Sequence, residues 1–261
     1  MIRPGGRLVG DVAGDGPPVV LLHAGVADRR MWNGVLPVLT ASYQVIRYDL
    51  RGYGESPPST EPYWPADDLG AVLDHLSIAD AHLVGASMGG YVSLDFAVAQ
   101  PSRVRSLALL APGLPGHDFG PDMRAYFDAE EAALERADID AVVELNLEIW
   151  VRGARADWSP RLRAVGEQLR DQLRIIAVNQ SGGEDFEEAA PTPARDHLAD
   201  LTVPTLVLIA GADQADMVAI AEHITETMPN ARAVRLPDTA HLPALERPDE
   251  TAAALLSFLP T

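Results

Sequence analysis

The hydrophobic pattern over residues 1–112 alternates between short apolar runs and segments with helical spacing. The apolar runs, each of strand length, are residues 18–23, 43–49, 81–84 and 104–110, with a shorter strand over 7–12 before them. Helical spacing is found over residues 67–76 and 88–100, and a further helix is predicted to begin near Met31. Because fully apolar strands that alternate with helices form parallel sheets, this part of the chain predicts a parallel sheet covered on both faces.

The pattern changes between residues 120 and 199, where no strand candidate is found. Helical segments are predicted there over residues 123–136, 139–151 and 161–178, with a weaker one over 185–200. A crossover between parallel strands needs far fewer residues. We therefore interpret residues 115–199 as a helical cap, or lid, inserted into the sheet domain; the alternative is that these helices belong to its main layers.

The sheet pattern then resumes. Strands are predicted over residues 205–210 and 231–236, and helices over 219–228 and 249–259. Residues 1–114 and 200–261 are accordingly predicted to form one α/β core domain.

Composition removes several classes of function. The net charge of −18 disfavours nucleic acid and anionic membranes as partners. The chain has no cysteine, and all 20 of its basic residues are arginine. Disulfides, thiolate chemistry and lysine-dependent catalysis are therefore excluded, and no metal or cofactor site is expected. Without a signal-peptide pattern at residues 1–10 or a membrane-length apolar run, the expected location is the cytoplasm.

The strongest motif joins the strand at 81–84 to the helix at 88–100. Gly85, Ser87 and Gly89 form a Gly-x-Ser-x-Gly sequence between that strand and that helix. In this context the motif predicts a sharp turn that presents Ser87 as an exposed nucleophile at the carboxyl end of the sheet. Any side chain at Gly85 or Gly89 is expected to clash with the neighbouring strand or helix. The alternative is an ordinary strand-to-helix turn with a capping serine.

A serine nucleophile needs a general base and an orienting carboxylate, and both are expected beyond strand ends. Among the seven histidines, His23 and His241 follow predicted strands. Asp213 follows the strand at 205–210, with Asp216 as a rival. The order Ser87, Asp213, His241 matches the chain order expected for such a sheet.

The oxyanion of the reaction also needs two preorganised N–H donors. Met88, directly after the nucleophile, is predicted to supply one. The loop after the strand at 18–23 is predicted to supply the other, through Gly25 or, as the runner-up, Val26.

Five segments together resemble the α/β-hydrolase fold superfamily of esterases, lipases and C–C hydrolases. They are His23-Ala24-Gly25, the stretch from Tyr48 to Ser56, Gly85 to Gly89, Ala210 to Asp213, and Ala240-His241 followed by Glu246-Arg247-Pro248. The resemblance covers about residues 18–112 and 204–259. It implies that residues 115–199 are a helical cap.

Three positions refine the resemblance. Ala24 stands where the family usually has glycine, which leaves the oxyanion donor open. Ala210 also replaces a usual glycine. A serine at position 87 argues against the dehalogenase and epoxide hydrolase branches, which use aspartate.

The predicted function is the hydrolysis of a small carboxylic ester or lactone by a serine nucleophile. Its apolar pocket could draw on aromatic residues, namely Trp64, Tyr126, Phe127, Trp150 and Trp158. C–C bond hydrolysis, acyl transfer on the same residues, and a slow ligand receptor stay open as alternatives, as does the choice between monomer and homodimer.

Overall fold

The computed structural model describes residues 2–3, 6–181 and 186–260, which are built around a seven-stranded sheet. Its strands are β3 (Gly10–Ala13), β4 (Pro18–Leu22), β5 (Gln44–Tyr48), β6 (Ala81–Ala86), β7 (Val104–Leu110), β8 (Thr205–Ala210) and β9 (Ala231–Leu236). Their order across the sheet is β3-β5-β4-β6-β7-β8-β9. Within the described residues, β3 is the only strand of this sheet that runs antiparallel to its neighbour, and the other strands pair in parallel. A separate pair, β1 (Ile2–Arg3) and β2 (Gly6–Arg7), precedes it.

Most of the helices lie in the connections between these strands, and the last two follow β9. The α-helices are α1 (Leu36–Leu39), α2 (Pro65–His75), α3 (Met88–Ala99), α4 (Pro121–Glu135), α5 (Ile139–Asn146), α6 (Pro160–Gln180), α7 (Ala215–Thr227), α8 (Pro243–Glu246) and α9 (Pro248–Phe258). A π-helical turn, Leu147–Arg152, continues α5. Short 3-10 turns are found at Arg29–Trp32, Pro101–Arg103, Ala194–Asp196 and Leu198–Asp200.

Both faces of the sheet are buried, as the apolar strands predicted. In β4, Val20 and Leu22 belong to the apolar cluster that includes Phe96 of α3. Val19 and Leu21, which alternate with them, belong to the cluster on the opposite face. Successive side chains of a strand point to opposite faces, so a continuous apolar run provides both layers of this core.

Several boundaries differ from the sequence prediction. The strand expected over residues 7–12 is divided, since β2 ends at Arg7 and β3 begins at Gly10. The helix expected over 219–228 begins earlier, at Ala215, because Gln214 is extended and starts the first turn there.

Two predicted helices are reduced to 3-10 turns. The helix expected near Met31 is the turn Arg29–Trp32, capped by the Asp28 carboxylate on the N–H of Arg30. The weak helix expected over 185–200 gives way to the two 3-10 turns near residues 194–200, and residue 185 lies outside the described residues.

The connection between β7 and β8 carries α4, α5, the π-helical turn and α6, which we call the inserted helices. The α5–α6 and α4–α5 pairs pack against each other, and α6 also packs against α8. In the part of the chain that the structure describes, no helix combines the length and apolarity needed to cross a bilayer.

Candidate active site

Ser87 occupies the sharp turn between β6 and α3. Its backbone has a φ of 48°, in the left-handed region that is costly for a residue other than glycine. The strand before it and the helix after it impose this conformation. The Ser87 N–H donates to the Leu110 carbonyl of β7, and the N–H groups of Gly90 and Tyr91 donate to the Ser87 carbonyl. The turn is therefore held from both sides.

The two motif glycines are required by close backbone approach. A Cβ at Gly85 would lie 2.2 Å from the Gly89 carbonyl oxygen. A Cβ at Gly89 would lie 2.3 Å from the carbonyl oxygen of Leu22 in β4. Both contacts are with backbone atoms, which cannot rotate away. The clashes expected from the motif are thus found at both positions.

Ser87, His241 and Asp213 form one line of hydrogen bonds. His241 Nε2 is 2.7 Å from Ser87 Oγ, and His241 Nδ1 is 2.7 Å from Asp213 Oδ2. The other Asp213 oxygen accepts the Gln214 N–H at 2.8 Å. His241 and Asp213 are buried. Ser87 is half-buried rather than exposed, and within the described residues its side chain makes no cap bond to α3.

Sheet topology brings these three residues together. Strands β6, β7, β8 and β9 are successive parallel neighbours, so their carboxyl ends lie at one edge. Ser87, Asp213 and His241 follow β6, β8 and β9 at that edge. This is where ligands bind in open α/β sheets.

The alternative acid and base are placed elsewhere. Asp216 lies in the first turn of α7, where its Oδ1 accepts the Gly120 N–H at 2.9 Å and lies 3.2 Å from His117 Nε2. His23 is fully buried, with Nδ1 2.9 Å from the Ala24 carbonyl oxygen and Nε2 accepting the Leu50 N–H at 2.9 Å. Burial lowers the pKa of His23, which keeps it as a neutral brace of the loop.

The residues predicted as oxyanion donors face the site. Gly25, Val26 and Met88 line the same cavity as Ser87 and His241. Among the described residues, the N–H groups of Gly25 and Val26 donate to no backbone oxygen. Both N–H groups are therefore available as a second donor beside that of Met88.

A cavity of about 320 Å³ lies beside Ser87, between the sheet edge and the inserted helices. Three of the five aromatic residues proposed for a pocket line it: Tyr126, Phe127 and Trp150. Trp64 lines a second cavity, and Trp158 lines a third one, where its Nε1 donates to Glu148. The wall is mainly apolar, and in the described part of the chain it holds no arginine.

A hydrogen-bonded group on the inserted helices was not predicted from the sequence. Trp150 Nε1 donates to the Tyr126 hydroxyl at 2.9 Å, and that hydroxyl donates to Asn146 Oδ1 at 3.0 Å. Asn146 Nδ2 donates to the Val142 carbonyl and to Glu130. Burial raises the pKa of the Tyr126 hydroxyl. The spacing of these residues in the sequence did not indicate that their side chains would form hydrogen bonds with one another.

A second unpredicted group stabilises the loop that precedes His241. Glu246 Oε2 accepts the Ala240 N–H at 3.1 Å. The same buried carboxylate contacts Arg155 at 2.9 Å and Arg161 at 3.3 Å, both near the start of α6. Burial raises the pKa of Glu246, while the Ala240 N–H and the arginines oppose that shift. Glu246 thereby connects the inserted helices to the histidine loop.

Comparisons with known proteins agree with this architecture. A pimeloyl-(acyl-carrier protein) methyl ester esterase of Aeromonas hydrophila is 28% identical over 255 residues, which cover 94% of this chain and 96% of the relative. The acetyltransferase component of an acetoin cleaving system of Pseudomonas putida is 33% identical over 266 residues, which cover 98% of this chain and 67% of the relative.

A solved structure and a family model also agree with this architecture. A thermophilic esterase from Thermogutta terrifontis superposes with a TM-score of 0.77 at 26% identity, covering 96% of this chain and 92% of that one. The model of the alpha/beta hydrolase fold matches residues 17–248. This match spans most of the chain and contains Ser87, Asp213 and His241. The chain therefore belongs to the alpha/beta hydrolase fold family.

Proposed function

We propose that this protein is a serine hydrolase that cleaves a carboxylic ester or lactone, with Ser87 as nucleophile, His241 as base and Asp213 as orienting acid. The observation that carries the proposal is the line of two 2.7 Å hydrogen bonds from Ser87 through His241 to Asp213. A serine hydroxyl is a weak nucleophile until a base within hydrogen-bond distance accepts its proton. This arrangement supplies that base.

The reaction proceeds in two halves. Ser87 Oγ attacks the ester carbonyl carbon, and His241 Nε2 takes the hydroxyl proton and then gives it to the departing alcohol. Water then attacks the acyl carbon with His241 again as base, and the acid leaves as the bond to Ser87 Oγ breaks and His241 returns the proton to that oxygen. Asp213 keeps the Nδ1 proton of His241 in place and stabilises the imidazolium. The N–H of Met88 and that of Gly25 or Val26 stabilise the oxyanion.

The cavity supports a small, uncharged substrate. Its volume of about 320 Å³ is at the low end for ligand pockets. Apolar side chains dominate its wall, and Glu130 is a carboxylate on that wall. A carboxylate and the absence of arginine from the described wall disfavour anionic acyl groups.

We extend the proposal to the inserted helices, which we assign as a cap over residues 115–199. They supply Tyr126, Phe127 and Trp150 to the cavity wall. In this assignment the cap determines which acyl group fits, and the strand ends supply the chemistry.

Acyl transfer is the second candidate, because one relative is named as the dihydrolipoyllysine-residue acetyltransferase component of an acetoin cleaving system, and an added alcohol is a simple test acceptor. Both reactions share the acyl-enzyme and differ only in the acceptor. Product analysis with an ester substrate in water and in water with added alcohol separates them. Free acid as the main product in both supports hydrolysis, and a new ester as the main product supports transfer.

Labelling with an alkyl fluorophosphonate, followed by mass spectrometry of the adduct, tests the proposed nucleophile. We expect one adduct per chain, on Ser87, and we expect Ser87→Ala to lose roughly 10⁴-fold or more of the esterase kcat. His241→Ala should lose the labelling. His223→Ala, an exposed histidine of α7, is the matched control and should retain it. An unlabelled wild type, or full activity of Ser87→Ala, would reject the mechanism.

A further inference from the structure

Trp150 lies directly against the imidazole of His241. The two ring centroids are 4.2 Å apart, and the ring planes are inclined by 38°. Trp150 is buried and belongs to the π-helical turn Leu147–Arg152. A π-helical turn contains more residues than an α-helical turn, so it changes which side chain faces a given neighbour. Here the turn presents an indole ring to the candidate base.

The residues after this turn dock on the loops that carry the candidate acid and base. The Ala154 N–H donates to the Ala212 carbonyl at 2.9 Å. A Cβ added at Gly153 would lie 2.3 Å from the same Ala212 oxygen and 2.8 Å from the Cβ of Ala240. Gly153 has a φ of 63°, which glycine adopts without strain. Ala212 and Ala240 immediately precede the acid and the base, so the docking reaches both loops.

A third loop contact comes from Gln214, the residue after the acid. Its Nε2 donates to the Ile149 carbonyl of the π-helical turn at 3.1 Å. The segment 149–154 is therefore attached to the acid loop on both sides of Trp150, at residues 149 and 154.

The outer edge of the indole ring is fixed as well. Its Nε1 donates to the Tyr126 hydroxyl, which donates to Asn146, which in turn donates to the Val142 carbonyl. These residues are buried. The Trp150 ring is consequently held by a hydrogen bond at one end and by the docked backbone at the other.

The base in this mechanism has a demanding geometric task. His241 must keep Nδ1 on Asp213 and Nε2 on Ser87 while it changes between neutral and protonated forms. A rotation of the imidazole breaks both hydrogen bonds together. A packed ring on one face prevents that rotation, and the face of an indole also favours a neighbouring cation.

We propose that Trp150 is a positioning residue for His241, kept in place by the docking of residues 149–154 on the acid and histidine loops. The inference rests on the proposed function, because Trp150 acts through the base of that mechanism. It makes this part of the inserted helices a structural support of the reaction, in addition to a wall of the cavity.

The test compares Trp150→Leu with Trp150→Phe. The readouts are the rate of inactivation by a small alkyl fluorophosphonate, and kcat and KM for p-nitrophenyl acetate. We expect Trp150→Leu to lower the inactivation rate and kcat by about 10- to 100-fold, as misplaced catalytic groups do. KM should change much less than kcat. Trp150→Phe keeps a ring against the imidazole and should recover most of both rates.

The matched control is Trp158→Leu. Trp158 lies in the loop between the π-helical turn and α6, and its Nε1 donates to Glu148 at 3.0 Å, yet it does not line the catalytic cavity. We expect its kcat and inactivation rate to equal those of the wild type. Thermal unfolding of each variant separates a loss of stability from a loss of rate.

Gly153→Ala tests the docking with Trp150 intact, including the case in which Trp150→Leu does not fold. Its Cβ would push the segment away from both loops, and we expect a several-fold fall in the inactivation rate. Gly166→Ala on α6 is the control, because its Cβ would come no closer than 3.6 Å to Leu147. It should leave the rate unchanged.

The outcomes separate this inference from the proposed function. A wild type that does not react with the fluorophosphonate rejects both. If the wild type reacts, equal rates in Trp150→Leu and the wild type overturn the inference alone. A change confined to KM, or an equal loss in Trp158→Leu, overturns it as well. A loss in kcat restored by phenylalanine supports it.

Discussion

The strand-end loops and the inserted helices both contribute to the candidate site, but they fix their side chains in different ways. Ser87 is placed by the register between β6 and β7 and by backbone contacts at Gly85 and Gly89. Trp150 is placed by a π-helical turn, and its neighbour Tyr126 lies on a separate helix. The first region is determined by backbone contacts within the sheet, the second by packing between helices. The two parts of the candidate site are thus fixed by different kinds of contact.

Two aspartates only three residues apart should differ strongly in their effect on catalysis. Asp213→Asn should lower kcat by roughly 10³- to 10⁴-fold, because an amide no longer holds the His241 proton in the required tautomer. Asp216→Asn keeps an oxygen for the Gly120 N–H and lies away from His241, so its kcat should stay within a few-fold of the wild type. Steady-state kinetics on both variants is the measurement. A larger loss in Asp216→Asn would reassign the acid.

The same contrast explains how far the sequence could predict the site. Ser87 follows from its motif, and Asp213 and His241 from their places after β8 and β9. Strand ends can be located in a sequence because apolar runs stop at recognisable turns. The half-buried state of Ser87 could not be predicted from the sequence, because it depends on how the inserted helices pack over the sheet edge.

The inserted helices show why the remaining contacts escaped prediction. Residues 139–151 have the spacing of one helix, and the change to a π-helical turn at Leu147 leaves no mark in that spacing. The Tyr126–Asn146 bond joins two helices whose relative rotation the sequence does not specify. A hydrophobic pattern identifies a buried face, but it does not identify which partner that face meets.

A smaller effect is expected from a methyl group at the nucleophile turn. Gly89→Ala places a Cβ 2.3 Å from the Leu22 oxygen, so the helix start must shift, at a cost of about 1–3 kcal/mol. We expect a Tm lower by several degrees and reduced activity, measured by thermal unfolding and ester turnover. Gly25→Ala is the control for stability alone, since its Cβ would be 3.6 Å from Met88 Sδ. A Gly25→Ala variant destabilised as much as Gly89→Ala would contradict the steric argument.

A still smaller effect is expected from the charge of Glu130, a residue of α4 on the cavity wall. Glu130 is a carboxylate on the wall, whereas Glu131, its neighbour on α4, is exposed and does not line the catalytic cavity. Glu130→Gln should raise kcat/KM for an ester with a carboxylate on its acyl chain by about 2- to 10-fold, as expected for one partly screened charge. Its kcat/KM for the uncharged analogue should stay the same.

Glu131→Gln makes the same change in net charge. It should leave kcat/KM for both esters unchanged, because solvent screens an exposed charge. Equal gains in the two variants would attribute the selectivity to the net charge of −18 instead of the wall. A gain in Glu130→Gln alone would show that one side chain of the inserted helices sets acyl preference while the Ser87, His241 and Asp213 geometry stays constant. That result would separate specificity from chemistry in this fold by experiment.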